Sequence, residues 1–71
     1  MSEEQHIPIE GIIIRQFTGI DYLVELNNKH QVKARKSGKM SQNKIRIGLG
    51  DKVIVEISTY NLTMGRITRR L

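Results

Sequence analysis

Apolar residues recur at every second position in three short stretches of the chain. In residues 20–26, Ile20, Tyr22, Val24 and Leu26 point to one side, and Asp21, Leu23 and Glu25 to the other. Residues 30–36 repeat the pattern, with Val32 and Ala34 facing in and Gln31, Lys33 and Arg35 facing out. Residues 51–57 do so again, with Val53, Val55 and Ile57 inward. A period of two marks a half-buried strand. Asn27, Asn28 and Lys29 supply turn residues between the first two stretches, which predicts a hairpin. Gly48 and Gly50 permit a tight turn ahead of the third.

Two less regular strands bracket these. Residues 7–17 are rich in β-branched side chains and are interrupted by Gly11. A glycine inside a strand marks a bulge or a bend, and a long strand bent there can serve both halves of a closed barrel. Pro8 lies near its start, where a missing ladder N–H is tolerated. Residues 65–70 form the last strand, with Ile67 inward and Arg66 and Arg70 sharing an outward face. Residues 37–44 lack a strand pattern and predict a loop with one helical turn, Ser37 being its N-cap. Five short strands expose edges unless the sheet closes. The expected fold is therefore all-β: a five-stranded OB-fold barrel with a short helical insert between strands 3 and 4. An SH3-like barrel is the main alternative from pattern alone. Residues 1–6 are expected to be a flexible tail and residues 7–71 a single domain.

Length and composition narrow the classes. Seventy-one residues make one domain at most. With no cysteine, disulfides and thiolate metal sites are excluded. The longest apolar run, Ile12 to Ile14, is far short of the roughly 20 residues that span a bilayer. The opening MSEEQH is acidic and polar, unlike a secretory signal or a transit peptide, so the protein is expected to act where it is made. His6 and His30 have no metal-ligand spacing, and Gly48-Leu-Gly-Asp51 lacks the Lys-Ser/Thr of a phosphate loop. No catalytic residue, metal or cofactor is expected.

Charge changes the picture most. The net is +5, yet residues 1–25 carry five acids and one base, whereas residues 26–50 carry seven bases and no acid. Such a one-sided centre is the footprint expected for nucleic acid, against the plainer reading of a solvated basic loop. Lys33, Arg35 and Lys36 project from strand 3 or its end, and Lys39 and Lys44 from the insert. Arg46 lies between inward Ile45 and Ile47 and so points out. Aromatics are few: Phe17, Tyr22 and Tyr60. Tyr22 is expected in the core. Phe17 is open to two roles, stacking a base or closing the barrel. Without a platform of stacking aromatics, recognition of folded RNA by charge and shape fits better than sequence-blind stacking on single strands.

The motifs then resemble a known family. Ser37-Gly-Lys-Met40, Asn43, Ile45-Arg-Ile47, Gly50-Asp-Lys-Val53, Glu56, Tyr60, Leu62-Thr63 and Gly65-Arg-Ile67 are similar, in order and spacing, to bacterial translation initiation factor 1. Gly11, Val24-Glu-Leu26, His30 and Ala34 extend the resemblance upstream, so that it covers about residues 7–70. It implies an S1-like OB barrel and binding to 16S rRNA at the aminoacyl-tRNA (A) site of the small (30S) ribosomal subunit. It also implies a neighbouring small-subunit ribosomal protein, cooperation with initiation factors 2 and 3, a monomer, no membrane and no cofactor. The resemblance carries rRNA binding over to Lys39, Met40, Arg46, Arg66 and Arg70; Arg35, Lys36 and Lys44 join them as rRNA-binding candidates from the charge reading. The chain departs from the family at Ser41 and Gln42, where bases are usual, and at Lys44, where an aromatic is usual. Arg35-Lys36 replaces a common His-Ile, and Met64 a common lysine. The bacterial cytoplasm is the expected compartment, a plastid stroma the alternative. Two other readings stand beside this one: a general single-stranded RNA-binding protein or RNA chaperone, and a protein-binding adaptor on a small barrel.

Overall fold

The structure, a computed structural model, describes residues 6–17, 21–38, 42, 46–59 and 61–71. Five strands follow in order: β1 (His6–Gln16), β2 (Asp21–Leu26), β3 (Gln31–Lys36), β4 (Lys52–Ser58) and β5 (Asn61–Arg70). They close into a barrel in the order β1-β2-β3-β5-β4, with β4 returning to β1. The β3–β5 pair is parallel and the others antiparallel. This is the all-β, five-stranded closed barrel expected from the alternation.

The alternating positions form the core. Val24, Val53, Val55 and Ile67 are fully buried, and Ile13, Tyr22, Leu26, Val32, Ala34, Ile47 and Ile57 nearly so. Tyr22 stands directly across from Ala34, so the smallest inward side chain leaves room for the largest. That settles Tyr22 as a packing residue. Phe17, just past the end of β1, is 37% exposed and so partly open to solvent.

β1 serves both halves of the barrel. Residues 6–12 pair with β4 and residues 11–16 with β2, and Gly11 faces Val53 on one side and Leu26 on the other. A Cβ at Gly11 would lie 2.6 Å from Val24 Cγ1 and 2.9 Å from the Glu25 carbonyl oxygen. The close approach of two backbones explains the glycine. The register shift itself falls later, between Ile13 and Arg15. Gly65 plays the same part in β5, where a Cβ would come 2.5 Å from Val55 Cγ1. β5 begins four residues earlier than its expected start, because the glycine lies within the strand and does not precede it.

The turns follow their residue chemistry. Between β2 and β3, the Lys29 N–H donates to Leu26 O at 2.9 Å, and the His30 N–H donates to Asn28 Oδ1 at 2.9 Å. Lys29 takes a left-handed conformation, φ 72°. Ahead of β4, the Asp51 N–H donates to Gly48 O at 3.1 Å, and Gly50 has φ 85°. The Asp51 carboxylate accepts the Gly48 N–H at 2.8 Å. This turn is tied to β1 by Gly50 N–H to Ile13 O, 2.8 Å, and Ile13 N–H to Asp51 O, 3.0 Å. Ser37 stands non-helical directly before helical Gly38, the place of an N-cap, and Gln42 is helical as well. The remainder of the insert, residues 39–41 and 43–45, lies outside the described residues, as do residues 1–5 of the expected tail, Ile20 and Tyr60.

Candidate nucleic-acid interface

Strand polarity decides which loops share an end of the barrel. The end of β1 pairs with the start of β2, the start of β2 with the end of β3, and the end of β5 with the start of β4. One end therefore carries the β1–β2 connection, the β3–β4 insert, the Gly48–Asp51 turn and the C-terminus. The other end carries the β2–β3 and β4–β5 turns. Lys36, Arg46 and Arg70 all lie at the first end. Lys39, Met40 and Lys44 belong to the insert between Lys36 and Arg46 but lie outside the described residues.

Two side-chain directions differ from simple alternation. β5 shifts register between its pairs with Val55 and Ile54: Ile67 faces Val55, Arg69 faces Ile54 and Arg70 faces Val53. Thr68 is the extra residue, and one extra residue moves every later side chain to the opposite face. Arg70 thus has the parity of buried Val53 and sits over the barrel end, while Arg69 joins Arg66 on the outer surface. The expectation that Arg66 and Arg70 share an outward face is corrected by this bulge. The new position has a use: Arg70 Nη1 donates to the Arg46 carbonyl oxygen at 3.2 Å. The last strand thereby holds the backbone that presents Arg46, itself exposed as expected. Lys36 has the inward parity of Val32 and Ala34, is level with Ile67 and is half-buried, so it belongs to the strand's end.

Across the outer surface, register aligns two rows. One runs Arg15, Leu23, Lys33, Met64; the other runs Asp21, Arg35, Arg66, Glu56. The second row shows what the linear charge pattern hides. Asp21 comes from the acidic first third of the chain, yet the Arg35 Nε donates to its Oδ1 at 3.2 Å. Glu56 stands across from Arg66. Only the Asp21–Arg35 pair, among the described residues, neutralises part of the basic centre on the sheet face, and the Asp51 carboxylate is engaged by its own turn. Among the described residues, no carboxylate lies in ion-pair reach of Lys36, Arg46 or Arg66. No group of three or more His, Cys, Asp or Glu among the described residues has the geometry to hold a metal ion, and no described helix is long and apolar enough to cross a membrane.

Comparison with known proteins decides the family. The family model described as translation initiation factor 1A / IF-1 matches residues 3–71. The chain belongs to the translation initiation factor 1A / IF-1 family. It is 53% identical over 64 residues to translation initiation factor IF-1 of Mycoplasmopsis synoviae, a match that covers 90% of each chain. The solution structure of translation initiation factor 1 from the Wolbachia endosymbiont of Brugia malayi superposes with a TM-score of 0.79 at 39% identity, covering 94% of this chain and 79% of that one. YjeQ from Thermotoga maritima shares the fold, with a TM-score of 0.72 at 24% identity over 92% of this chain and 23% of that one.

As a member of the IF-1 family the chain is a non-enzymatic, bacterial-type translation initiation factor, and family membership carries ribosome association during initiation. Its barrel also presents cations that sequence reading left out of the candidate site. Arg15 belongs with the acidic N-terminal third in sequence, yet it stands two strands from Lys33 in the same row. The signal was the β1–β2 register, which the irregular first strand hides.

Proposed function

We propose that this chain binds 16S rRNA at the A site of the small ribosomal subunit and cooperates there with initiation factors 2 and 3, beside a small-subunit ribosomal protein. It acts as a monomer, in the bacterial cytoplasm. The observation that carries this reading is the gathering of Lys36, Arg46 and Arg70 at the barrel end that also bears the basic insert, with Arg70 bracing the Arg46 backbone. Arg46, Lys36 and the insert residues Lys39, Met40 and Lys44 make the central contacts. Arg66 extends them onto the sheet. Arg35 adds less, since Asp21 already shares its charge. Guanidinium groups suit this role because their planar fork matches phosphate oxygens and base edges.

The test is competition on isolated bacterial small subunits at physiological salt. A labelled chain should be displaced by an established bacterial initiation factor 1 and not by unstructured RNA at equal nucleotide concentration. Equal displacement by both would favour the general RNA-binding reading. In the same assay Arg46→Glu should weaken binding strongly while the barrel stays folded. Unchanged affinity would remove Arg46 from the site.

A further inference from the structure

We propose that Asp51 is a positioning residue for small-subunit binding: its carboxylate sets the direction in which the chain presents Arg46. The proposal rests on the reading that Arg46 contacts the small subunit. Arg46, Ile47 and Gly48 belong to neither strand nor helix, so no ladder or helical turn holds them. Side-chain contacts hold them instead. The Ile47 side chain is 8% exposed and packs in the core. Arg70 Nη1 donates to Arg46 O at 3.2 Å. Asp51 grips Gly48 twice: the Gly48 N–H donates to Asp51 Oδ2 at 2.8 Å, and the Asp51 N–H donates to Gly48 O at 3.1 Å. Asp51 is itself tied to the buried residue Ile13 of β1, whose N–H donates to Asp51 O at 3.0 Å. A brace therefore runs from the barrel core through Ile13 and Asp51 to Gly48.

Charge makes this role testable. Among the described residues, Asp21 and Asp51 are the carboxylates at the insert-bearing end of the barrel. Asp21 pairs with Arg35. Asp51 has no ion-pair partner among the described residues and turns to the backbone. On charge alone, a carboxylate at this end opposes a polyanion. Order works the other way. Gly48 has no side chain to restrict its own backbone, so the hydrogen bond from Asp51 is what sets it. A long side chain on a fixed backbone loses less freedom when it binds. Without the brace, each binding event has to order Arg46 afresh. Asp51 acts through Arg46 and needs no contact with RNA.

The test measures the affinity of the full chain for isolated small subunits at physiological salt. Asp51→Ala removes the acceptor together with one negative charge. It should weaken binding about two- to 12-fold, the cost of ordering one long side chain, although its charge suits a polyanion better. Asp51→Asn removes the same charge but keeps an acceptor oxygen, so it should bind at least as tightly as wild type. In an Arg46→Ala background, Asp51→Ala should have no further effect. Amide hydrogen exchange of the wild-type chain needs no variant, and it decides the question if Asp51→Ala fails to fold: the Gly48 N–H should be protected relative to an unstructured chain. Wild-type or tighter binding by Asp51→Ala overturns the proposal. So does an equal loss in Asp51→Asn, an undiminished loss in the Arg46→Ala background, or Gly48 exchange at the unstructured rate. Wild-type affinity in Arg46→Ala alone overturns the underlying reading of Arg46 as well, and that single variant tells the two failures apart.

Discussion

Replacing Gly11 by alanine tests the barrel where it is tightest. At Gly11, β1 passes from β4 to β2, and an added methyl would meet three groups at once. Val24 Cγ1 would lie at 2.6 Å, the Glu25 carbonyl oxygen at 2.9 Å and Leu26 Cδ2 at 3.2 Å. None can yield easily. Val24 is fully buried and, being β-branched, is stiff about χ1. The Glu25 carbonyl belongs to backbone fixed by pairing with β1 and β3. Overpacking of this kind costs about 1–3 kcal/mol. Loss of glycine from the unfolded chain offsets about 0.4–1 kcal/mol of it. The net loss of about 1–2 kcal/mol should lower Tm by roughly 4–16 °C in a domain of this size. Gly48→Ala is the internal control, since nothing lies within 4 Å of a Cβ there, and its Tm should stay level or rise. Thermal unfolding followed by far-UV circular dichroism reads both. A Gly11→Ala protein that melts with the wild type or above it would refute the close-approach explanation of the bent strand.

Further outcomes follow from the turns and the charge rows. Lys29→Gly should stabilise by about 0.5 kcal/mol, because the left-handed backbone costs a side-chain-bearing residue about 1 kcal/mol or more and glycine's unfolded entropy returns part of it; a urea midpoint reads the change. Gly50→Ala should destabilise by about 1 kcal/mol for the same reason with the sign reversed, and should slacken the turn that fixes β4 to β1. Asp21→Asn should change stability by less than about 1 kcal/mol, as exposed ion pairs do, yet raise RNA affinity at low salt by releasing Arg35. Arg70→Met should weaken small-subunit binding by more than the loss of one charge, because it also frees the Arg46 backbone; Arg70→Lys, which keeps the charge, should not restore it fully.

Alternation makes most of the barrel legible. Val24, Val32, Val53 and Val55 can be placed in the core because sheets read side chains at a period of two, and each of these lies in a stretch where that period runs unbroken. The pattern misleads where the period breaks. Thr68 adds one residue to β5, so Arg70 sits at the barrel end rather than on the outer face, and no local signal in the Arg-Ile-Thr-Arg-Arg run marks the bulge. Gly65 reads as the start of a strand because glycine punctuates turns more often than it fills tight packing. The site is legible as charge in the insert and at Arg46. Its neutralisation is not, because Asp21 and Arg35 are 14 residues apart and meet only through the β2–β3 register. The same limit hides that Arg15 shares a row with Lys33, with Leu23 between them.

The most direct measurement is chemical probing of 16S rRNA in small subunits saturated with the chain. Protection confined to the nucleotides of the A-site decoding region, and abolished by Arg46→Glu, is the expected result. Protection scattered over unpaired rRNA, or none at concentrations where the protein is bound, would contradict an A-site factor and return the chain to general RNA binding.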